Sequence, residues 1–379
     1  LPEPTVSSPN PLWIRAAVSE TAFAREQAAF AKLWTYVGFT TDLAKVGDWF
    51  VTTVGDRSIF VQRFEDGLKA FENRCAHRFF PLRQRASGNG PIVCGFHHWR
   101  YNADGQAIGI PNCPEMFGKI PREMGAQLTR LELETCGHLI FVRFPSDSTE
   151  TLKAYLAEGY DILAATCAPH RKPYRFTQKV DAYWKFSHHI SLDDYHVVAV
   201  HPTSFGKNGY LKSEELQYRR FGRHSAYINT TDTGAFDTIR HSCADGTYVP
   251  NCYAIYNVFP NFLVSQFRVP DAFGTQHWYA SLLRYRAISP GKTVVEAWLF
   301  ETPFAIPETT LTKWNRWSVN LLTPPIVAYF SQKIMQEDNE VCEGQQLVAA
   351  EVTGEQRLSA QERRIGWFED SYAAALGEA

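Results

Sequence analysis

Arg74-Cys75-Ala76-His77-Arg78 and Cys94-Gly95-Phe96-His97-His98-Trp99-Arg100-Tyr101 are two short segments that each pair one cysteine with one histidine. Folded as neighbouring loops, they bring Cys75, His77, Cys94 and His97 around one small centre. Two metal classes compete for such a set. Zinc fingers usually keep Cys with Cys and His with His, the histidines several residues apart. A two-iron cluster accounts for the mixing, because two thiolates can hold one iron while two imidazoles hold the other.

The sequence around these loops has the texture of a small all-β domain. β-Branched and aromatic runs at 49–54, 58–63, 68–73 and 138–144 are split by Gly, Asp and Asn, and the turns at 54–57 and 65–67 contain the residues that hairpins need. Upstream, residues 1–12 read as an extended arm, and the apolar spacing predicts one amphipathic helix from about 20 to 34, with Ser19 as N-cap. A boundary is expected at 145–149. Beyond it, helix is expected over 152–165, near 185–200, and over 308–322 and 325–350. Strands are expected at 174–184, 253–258, 262–267, 277–285 and 293–300. Strands followed by helices make this second part α+β, not a doubly wound sheet. The resulting division is an N-terminal arm and helix over 1–35, a β domain over 36–148 and a larger domain over 149–379.

The second part contains its own donor group. His196 and His201 are separated by four residues, a spacing that does not stack both on one face of an ideal helix, and Pro202 discourages helix at His201. Two imidazoles plus one carboxylate form the facial triad of non-haem Fe(II) oxygenases, which leaves positions open for dioxygen. The carboxylate must come from elsewhere in the chain. The run Gln336-Glu337-Asp338-Asn339-Glu340-Val341-Cys342-Glu343-Gly344-Gln345-Gln346 is the obvious source, against the plainer reading of a solvated acidic helix turn. Positions 189, 193 and 196 share one face of a 3.6-residue spiral and 194 does not, which favours Asp193 over Asp194 as a neighbour of His196.

Taken together, these boxes carry a resemblance. Cys75-x-His77-Arg78 and Cys94-x-x-His97-x-Trp99-x-Tyr101 resemble the Rieske [2Fe-2S] motif of the aromatic ring-hydroxylating oxygenases. Asp193-x2-His196-x4-His201 resembles the mononuclear-iron motif of the same family. The resemblance implies that Cys75 and Cys94 hold the first iron of the cluster and His77 and His97 the second. It further implies that His196, His201 and Asp338 hold a single Fe(II), with Glu337 and Glu340 as fallback ligands. Glu337, Asp338, Glu343 and Gln346 match the family's Glu-Asp-x4-Glu-x2-Gln arrangement. Asp193 would link the iron side to a cluster histidine, across a subunit interface in a head-to-tail homotrimer. His189, where the family often has Asn or Glu, would support the site from behind its ligands. The implied fold is a Rieske domain joined to a helix-grip catalytic domain. The sequence departs from the pattern at Phe79 and His98, where the family generally has Gly. His98 is thereby an alternative to His97, whose spacing from Cys94 matches the family.

The implied activity is that of a terminal oxygenase component that uses O2 to hydroxylate an aromatic substrate, with a small second subunit compatible with it. A monooxygenase or demethylase acting on a methyl ether or amine shares every named ligand. From other classes, a Rieske electron carrier without oxygenase activity and a zinc-stabilised interaction protein compete. No Gly-x-Gly-x-x-Gly precedes a helix, so electrons must come from a separate ferredoxin or flavin reductase. Arg74, Arg78, Arg83, Arg85 and Arg100 could dock an acidic donor. The chain's formal net charge of −2 offers no basic excess for nucleic acid or an anionic membrane. The start Leu1-Pro2-Glu3-Pro4 lacks the layout of a secretory signal, no apolar run is long enough to span a membrane, and the cysteines are scattered. These features predict a cytoplasmic chain with reduced thiols.

Overall fold

A computed structural model describes residues 16–169, 172–202, 215–270, 276–302, 310–352 and 356–377. The arm expected over 1–12 lies outside them. The chain divides into two compact units, Gln27–Leu152 and Leu1–Glu26 with Lys153–Ala379. Among the described residues no helix is long and apolar enough to cross a membrane.

The Gln27–Leu152 unit is built on an antiparallel sheet of β1 (Thr35–Phe39), β2 (Asp48–Val54), β3 (Arg57–Phe64), β4 (Gly67–Glu72), β5 (Ser87–Asn89), β9 (Arg130–Cys136) and β10 (Leu139–Arg143). Its order is β1-β10-β9-β4-β3-β2-β5, and a second sheet joins β6 (Ile92–Val93), β7 (Arg100–Tyr101) and β8 (Ala107–Gly109). The alternation of a strand sets the layering. In β3, Ile59 and Val61 enter a core with Val37, Ala70 and Ile140, while Phe60 enters another with Phe71, Cys75, Cys94 and Trp99. The second core lies beneath both Cys/His loops. The β2–β3 turn needs Gly55 twice over: its φ is +59°, and a Cβ there would meet the Gln27 carbonyl oxygen at 2.7 Å.

The other unit carries a seven-stranded antiparallel sheet. Its strands are β11 (Tyr174–Val180), β12 (Leu216–Phe221), β13 (His224–Asn229), β14 (Ala254–Val258), β15 (Phe262–Pro270), β16 (Gln276–Ser289) and β17 (Lys292–Glu301), in the order β11-β17-β16-β15-β14-β13-β12. Its helices include α1 (Glu20–Phe30), whose last four residues belong to the Gln27–Leu152 unit, α2 (Gly159–Thr166), α3 (Trp184–Ile190), α4 (Val197–Val200), α5 (Ala235–Ala244), α6 (Thr310–Val348) and α7 (Arg363–Leu376). The Ser19 hydroxyl accepts from the Ala22 N–H at 3.3 Å, as an N-cap does.

Three helix expectations need correction. The helix over 152–165 is two, Leu152–Leu156 and α2. The patch over 185–200 is also two, α3 and α4, with Ser191 to Asp194 turning between them. The two C-terminal helices are one, because α6 runs through Pro324 and Pro325. Proline's φ fits a helix, and the cost of the pair is the loss of the N–H donors to the carbonyls of Asn320 and Leu321 together with the steric crowding that proline brings to a helix interior.

Buried polar groups tie α3 and the turn after it to the rest of this unit. Glu26 is fully buried and accepts from Trp184 Nε1 and Tyr372 Oη at 2.7 Å each, and from the Tyr183 hydroxyl. Lys185, also fully buried, reaches Glu369 at 3.1 and 3.2 Å and lies 3.3 Å over the Tyr372 ring. Burial pushes its pKa down to about 8, with Glu369 and Glu26 opposing. Arg364 Nη2 meets both carboxylate oxygens of Asp194 at 3.0 Å, in a pair with almost no solvent contact. Removing one member leaves the other charged and dry. Asp194→Asn should therefore cost about 3–5 kcal/mol in denaturant unfolding, and adding Arg364→Met should restore most of it.

Candidate functional site

The two Cys/His loops are built alike. In the first, the Cys75 N–H donates to the Phe80 carbonyl at 2.9 Å and the Phe79 N–H donates to the Cys75 carbonyl at 3.0 Å. In the second, the Cys94 N–H donates to the Trp99 carbonyl and the His98 N–H to the Cys94 carbonyl, both at 2.9 Å. Each loop reverses through a residue at positive φ, Phe79 at +60° and His98 at +57°. The two departures from the family's glycines thus keep the glycine conformation and bear its steric cost.

Cys75 and Cys94 are buried, His77 is half-buried and His97 is exposed. The His77 ring stacks on Trp99 at 4.7 Å and lies 4.6 Å from the His97 ring. Burial, then the charges of His97 and Arg78, lowers the His77 pKa and keeps the imidazole neutral, as ligation requires. Its Nδ1 is buried with no hydrogen bond, an orphaned donor atom that a metal would satisfy. Burial raises the Cys75 thiol, the Tyr101 hydroxyl 3.0 Å away counteracts it, and nearby Cys94 adds to the rise. A cationic centre between the loops would reverse that balance. The donor chemistry fits a cluster with a thiolate side and an imidazole side.

The basic group around the loops is smaller than the sequence suggests. Arg83 is buried, donating to Gln62 Oε1 at 2.7 Å and to the carbonyls of Gly90 and Pro91 at 3.0 Å, with Trp49 and Phe60 rings beside it. Arg74 pairs with Glu72 at 3.0 Å. Arg78, Arg85 and Arg100 remain exposed.

In the other unit, His196, His201 and Asp338 present one donor atom each, all within 4.8 Å of one another. Asp338 Oδ1 lies 2.9 Å from His201 Nε2 and 3.4 Å from His196 Nε2. The local chain makes this feasible. His196 is the N-cap of the four-residue α4 and His201 is its C-cap, with non-helical φ and ψ of −112° and 50°. The outer nitrogens differ. His201 Nδ1 lies 2.7 Å from Glu337 Oε2, whereas His196 Nδ1 is buried without a hydrogen bond, 3.6 Å from Asp193 Oδ2. The carboxylate behind His201 orients its ring so that Nε2 faces inward. Burial works against charge on His196, but Asp193 and Asp338 outweigh it and push its pKa up to about 9. His201 shifts upward by the same contest, with Asp338 prevailing. Carboxylates thus outweigh desolvation in the electrostatics around both imidazoles, the condition that suits a dication.

Asp193 lies beside His196 as expected, although the spiral used to place it does not exist, because the chain leaves the helix after Ile190. Its Oδ1 instead accepts from the N–H groups of Tyr195 at 2.7 Å and His196 at 3.2 Å. Glu337 stands behind His201, and Glu340 is exposed, so neither fallback ligand joins the Asp338 group. His189 is buried 2.8 Å from Glu369, in the network around Lys185. Glu343 and Gln346 accept from the N–H groups of Asp181 at 3.1 Å and Tyr183 at 2.9 Å, fastening α6 to the entry of α3. Sequence reasoning missed Asn257, which holds His188 Nε2 at 2.8 Å, as well as Glu369 and Arg364. Each is remote in sequence from the group it holds, and no local pattern marks it.

A Rieske [2Fe-2S] domain model matches residues 33–128, and a model for the catalytic domain of the ring hydroxylating alpha subunit matches 167–378. Relatives include the large oxygenase component of salicylate 5-hydroxylase from Ralstonia sp, 28% identical over 60% of this chain and 57% of the relative. The carnitine monooxygenase oxygenase subunit of Escherichia coli (strain K12) is 30% identical over 53% of this chain and 56% of the relative. The chain thus spans a little over half the length of these relatives. Among solved structures, naphthalene 1,2-dioxygenase from Rhodococcus sp. bound to indole aligns with a TM-score of 0.75 at 17% identity, covering 97% of this chain and 94% of the other. The quaternary ammonium monooxygenase CntA with L-carnitine aligns at 0.71 and 18% identity, covering 97% and 95%. These likenesses show the fold alone.

Two outcomes test the local geometry. His98→Gly should stabilise the protein by up to about 1 kcal/mol in thermal or denaturant unfolding, by relieving the positive φ. Glu337→Gln should weaken ferrous-ion binding at the His196 site roughly 10- to 100-fold by metal titration, with the cluster loops unaffected.

Proposed function

The chain belongs to the family of Rieske ring-hydroxylating oxygenase alpha subunits, and on that premise we propose that it is the terminal oxygenase component of a multicomponent system. It takes electrons from a separate ferredoxin or flavin reductase and uses O2 to hydroxylate a small aromatic molecule. The observation that carries this reading is the convergence of His196 Nε2, His201 Nε2 and Asp338 Oδ1, in a chain whose other unit bears the two Cys/His loops. A two-histidine, one-carboxylate set leaves positions open beside a bound metal.

In this reading Cys75 and Cys94 hold one iron of a cluster, His77 and His97 hold the other, and His196, His201 and Asp338 hold a single Fe(II). When bound, the cluster supplies single electrons and the mononuclear iron supplies oxygen activation. The surrounding residues orient. Glu337 holds the outer nitrogen of His201, and Asp193 braces the backbone at His196 while lying beside its outer nitrogen. Asp193 also has the role the resemblance gives it, meeting His97 of the partner subunit in a head-to-tail homotrimer. A small second subunit is compatible with this assembly. No disulfide joins any of the eight cysteines, which suits a cytoplasmic setting.

A second reading is supported by the carnitine monooxygenase relative: a monooxygenase or demethylase acting on a methyl ether or amine. The donor set is the same for both.

Metal and sulfide analysis of the anaerobically purified protein should give about three irons and two sulfides per chain, with a Rieske-type EPR signal after reduction. His196→Ala should keep the red-brown cluster, lose the third iron and abolish product formation. A colourless zinc protein, or full activity in His196→Ala, would overturn the proposal.

A further inference from the structure

We propose that Arg83 is a positioning residue for the [2Fe-2S] cluster. Its guanidinium ties the segment that leaves the first Cys/His loop to the segment that enters the second, and so fixes how far apart Cys75 and Cys94 stand. The proposal rests on the reading of Cys75, His77, Cys94 and His97 as the cluster ligands, and adds to it a side chain from outside the ligand set.

Arg83 takes part in a clasp at each loop. At the first, its N–H donates to Asn73 Oδ1 and Asn73 Nδ2 donates back to its carbonyl, both at 2.8 Å. Residues 74–82, with Cys75 and His77 among them, are thereby closed at their base. Asn73 is itself pinned to β3, its N–H donating to the Ser58 carbonyl at 2.9 Å. At the second loop the side chain does the work: Nη1 donates to the Pro91 carbonyl and Nη2 to the Gly90 carbonyl, at 3.0 Å each. Those two residues lead directly into β6, whose Val93 precedes Cys94. One residue therefore holds one loop with its backbone and the other with its guanidinium.

The surroundings fix the fork. Nη2 also donates to Gln62 Oε1 at 2.7 Å, and Gln62 Nε2 donates to the same Gly90 carbonyl at 2.9 Å. Gln62 lies in β3 and is 2% exposed, so the anchor is the interior of the sheet. The guanidinium carbon is 4.6 Å from the Trp49 ring centroid and 5.5 Å from that of Phe60, and Phe60 packs in the core that contains Cys75 and Cys94. A planar group bonded to three oxygens and flanked by rings keeps one orientation.

Packing alone does not account for an arginine here. Every hydrogen-bond partner of the guanidinium is a neutral oxygen, no carboxylate pairs with it among the described residues, and its Nε is buried without a hydrogen bond. Burial lowers its pKa only to about 10, so the cation persists at neutral pH. A dry cation without a counter-charge is costly where an apolar side chain is not. What the cation supplies in return is directional, because no apolar side chain can hold two carbonyls of one loop to the base of another.

The test follows the lifetime of the cluster in the full chain, as the decay of its visible absorbance in excess iron chelator. Thermal unfolding and the EPR spectrum of the reduced state are recorded on the same samples. Arg143→Met is the matched control: Arg143 is a second buried arginine of this unit, bonded to Glu132 at 2.6 and 2.9 Å, and its neighbours Val142 and Phe144 belong to the core without the two cysteines. Arg83→Met should shorten the half-life roughly 10-fold or more and broaden the EPR lines, whereas Arg143→Met should lose stability and keep the half-life within about twofold of wild type. Arg83→Lys keeps the charge and the stem but not the planar fork, so it should stay folded and still shorten the half-life by about 3-fold or more. A wild-type lifetime in Arg83→Met or Arg83→Lys overturns the proposal, as do equal losses in Arg83→Met and Arg143→Met. A wild-type protein that carries no cluster overturns the ligand reading and the proposal with it, whereas a cluster-bearing wild type with unaffected variants overturns the proposal alone.

Discussion

Two imidazoles and one carboxylate can face a single point only if α4 is held in register with a helix that lies more than a hundred residues later in the chain. The carboxylate of Asp338 closes that register, lying within hydrogen-bond reach of His201 Nε2 and just beyond the ideal distance from His196 Nε2. It does not act alone. Glu337, one residue earlier, meets the outer nitrogen of His201, while Glu343 and Gln346 cap the backbone leading into α3. Asp338 and Gln346 are separated by roughly 12 Å of helix rise, so a single rigid rod measures the distance from the entry of α3 to the imidazoles. The acidic run is thus less a solvated face than a set of fasteners.

Beneath this register lies a group of charges with little access to water. Glu26, Lys185, Glu369 and the Asp194–Arg364 pair each carry a desolvation cost that burial alone would make prohibitive. What offsets it is pairing: Glu26 accepts from three side chains, Glu369 meets both Lys185 and His189, and Arg364 meets Asp194 through Nη2 while its Nε and Nη1 stay without a hydrogen bond. Such networks add modestly to stability but discriminate sharply against misplaced packing, because any slippage strands a charge. Here they surround the two ends of the segment that delivers His196.

The loops around Cys75 and Cys94 were legible because their chemistry is local, with each donor pair within four residues. His196 and His201 were legible for the same reason, and Pro202 correctly marked the end of regular helix at His201. The acidic run around Asp338 was visible as a polar stretch, but only the resemblance to the family's Glu-Asp-x4-Glu-x2-Gln arrangement singled out Asp338 within it. The choice of Asp193 over Asp194 agrees with the geometry for a different reason from the one given. A buried arginine claims Asp194, and a tight turn, not a spiral, sets Asp193 against His196. Arg83 was misread as surface charge because nothing near it in sequence announces Gln62, Trp49 and Phe60 as its surroundings. The continuous α6 was missed because a Pro-Pro pair ordinarily ends a helix, and here the backbone continues through it.

The two Cys/His loops also show where the scaffold stores conformational cost. Phe79 and His98 each sit in a backbone basin that side-chain-bearing residues avoid by about 1–2 kcal/mol. The backbone hydrogen bonds that close each loop, from Phe79 to Cys75 and from His98 to Cys94, hold both residues there. The strain therefore sits immediately beside the two cysteines, and the flanking strands over-determine it.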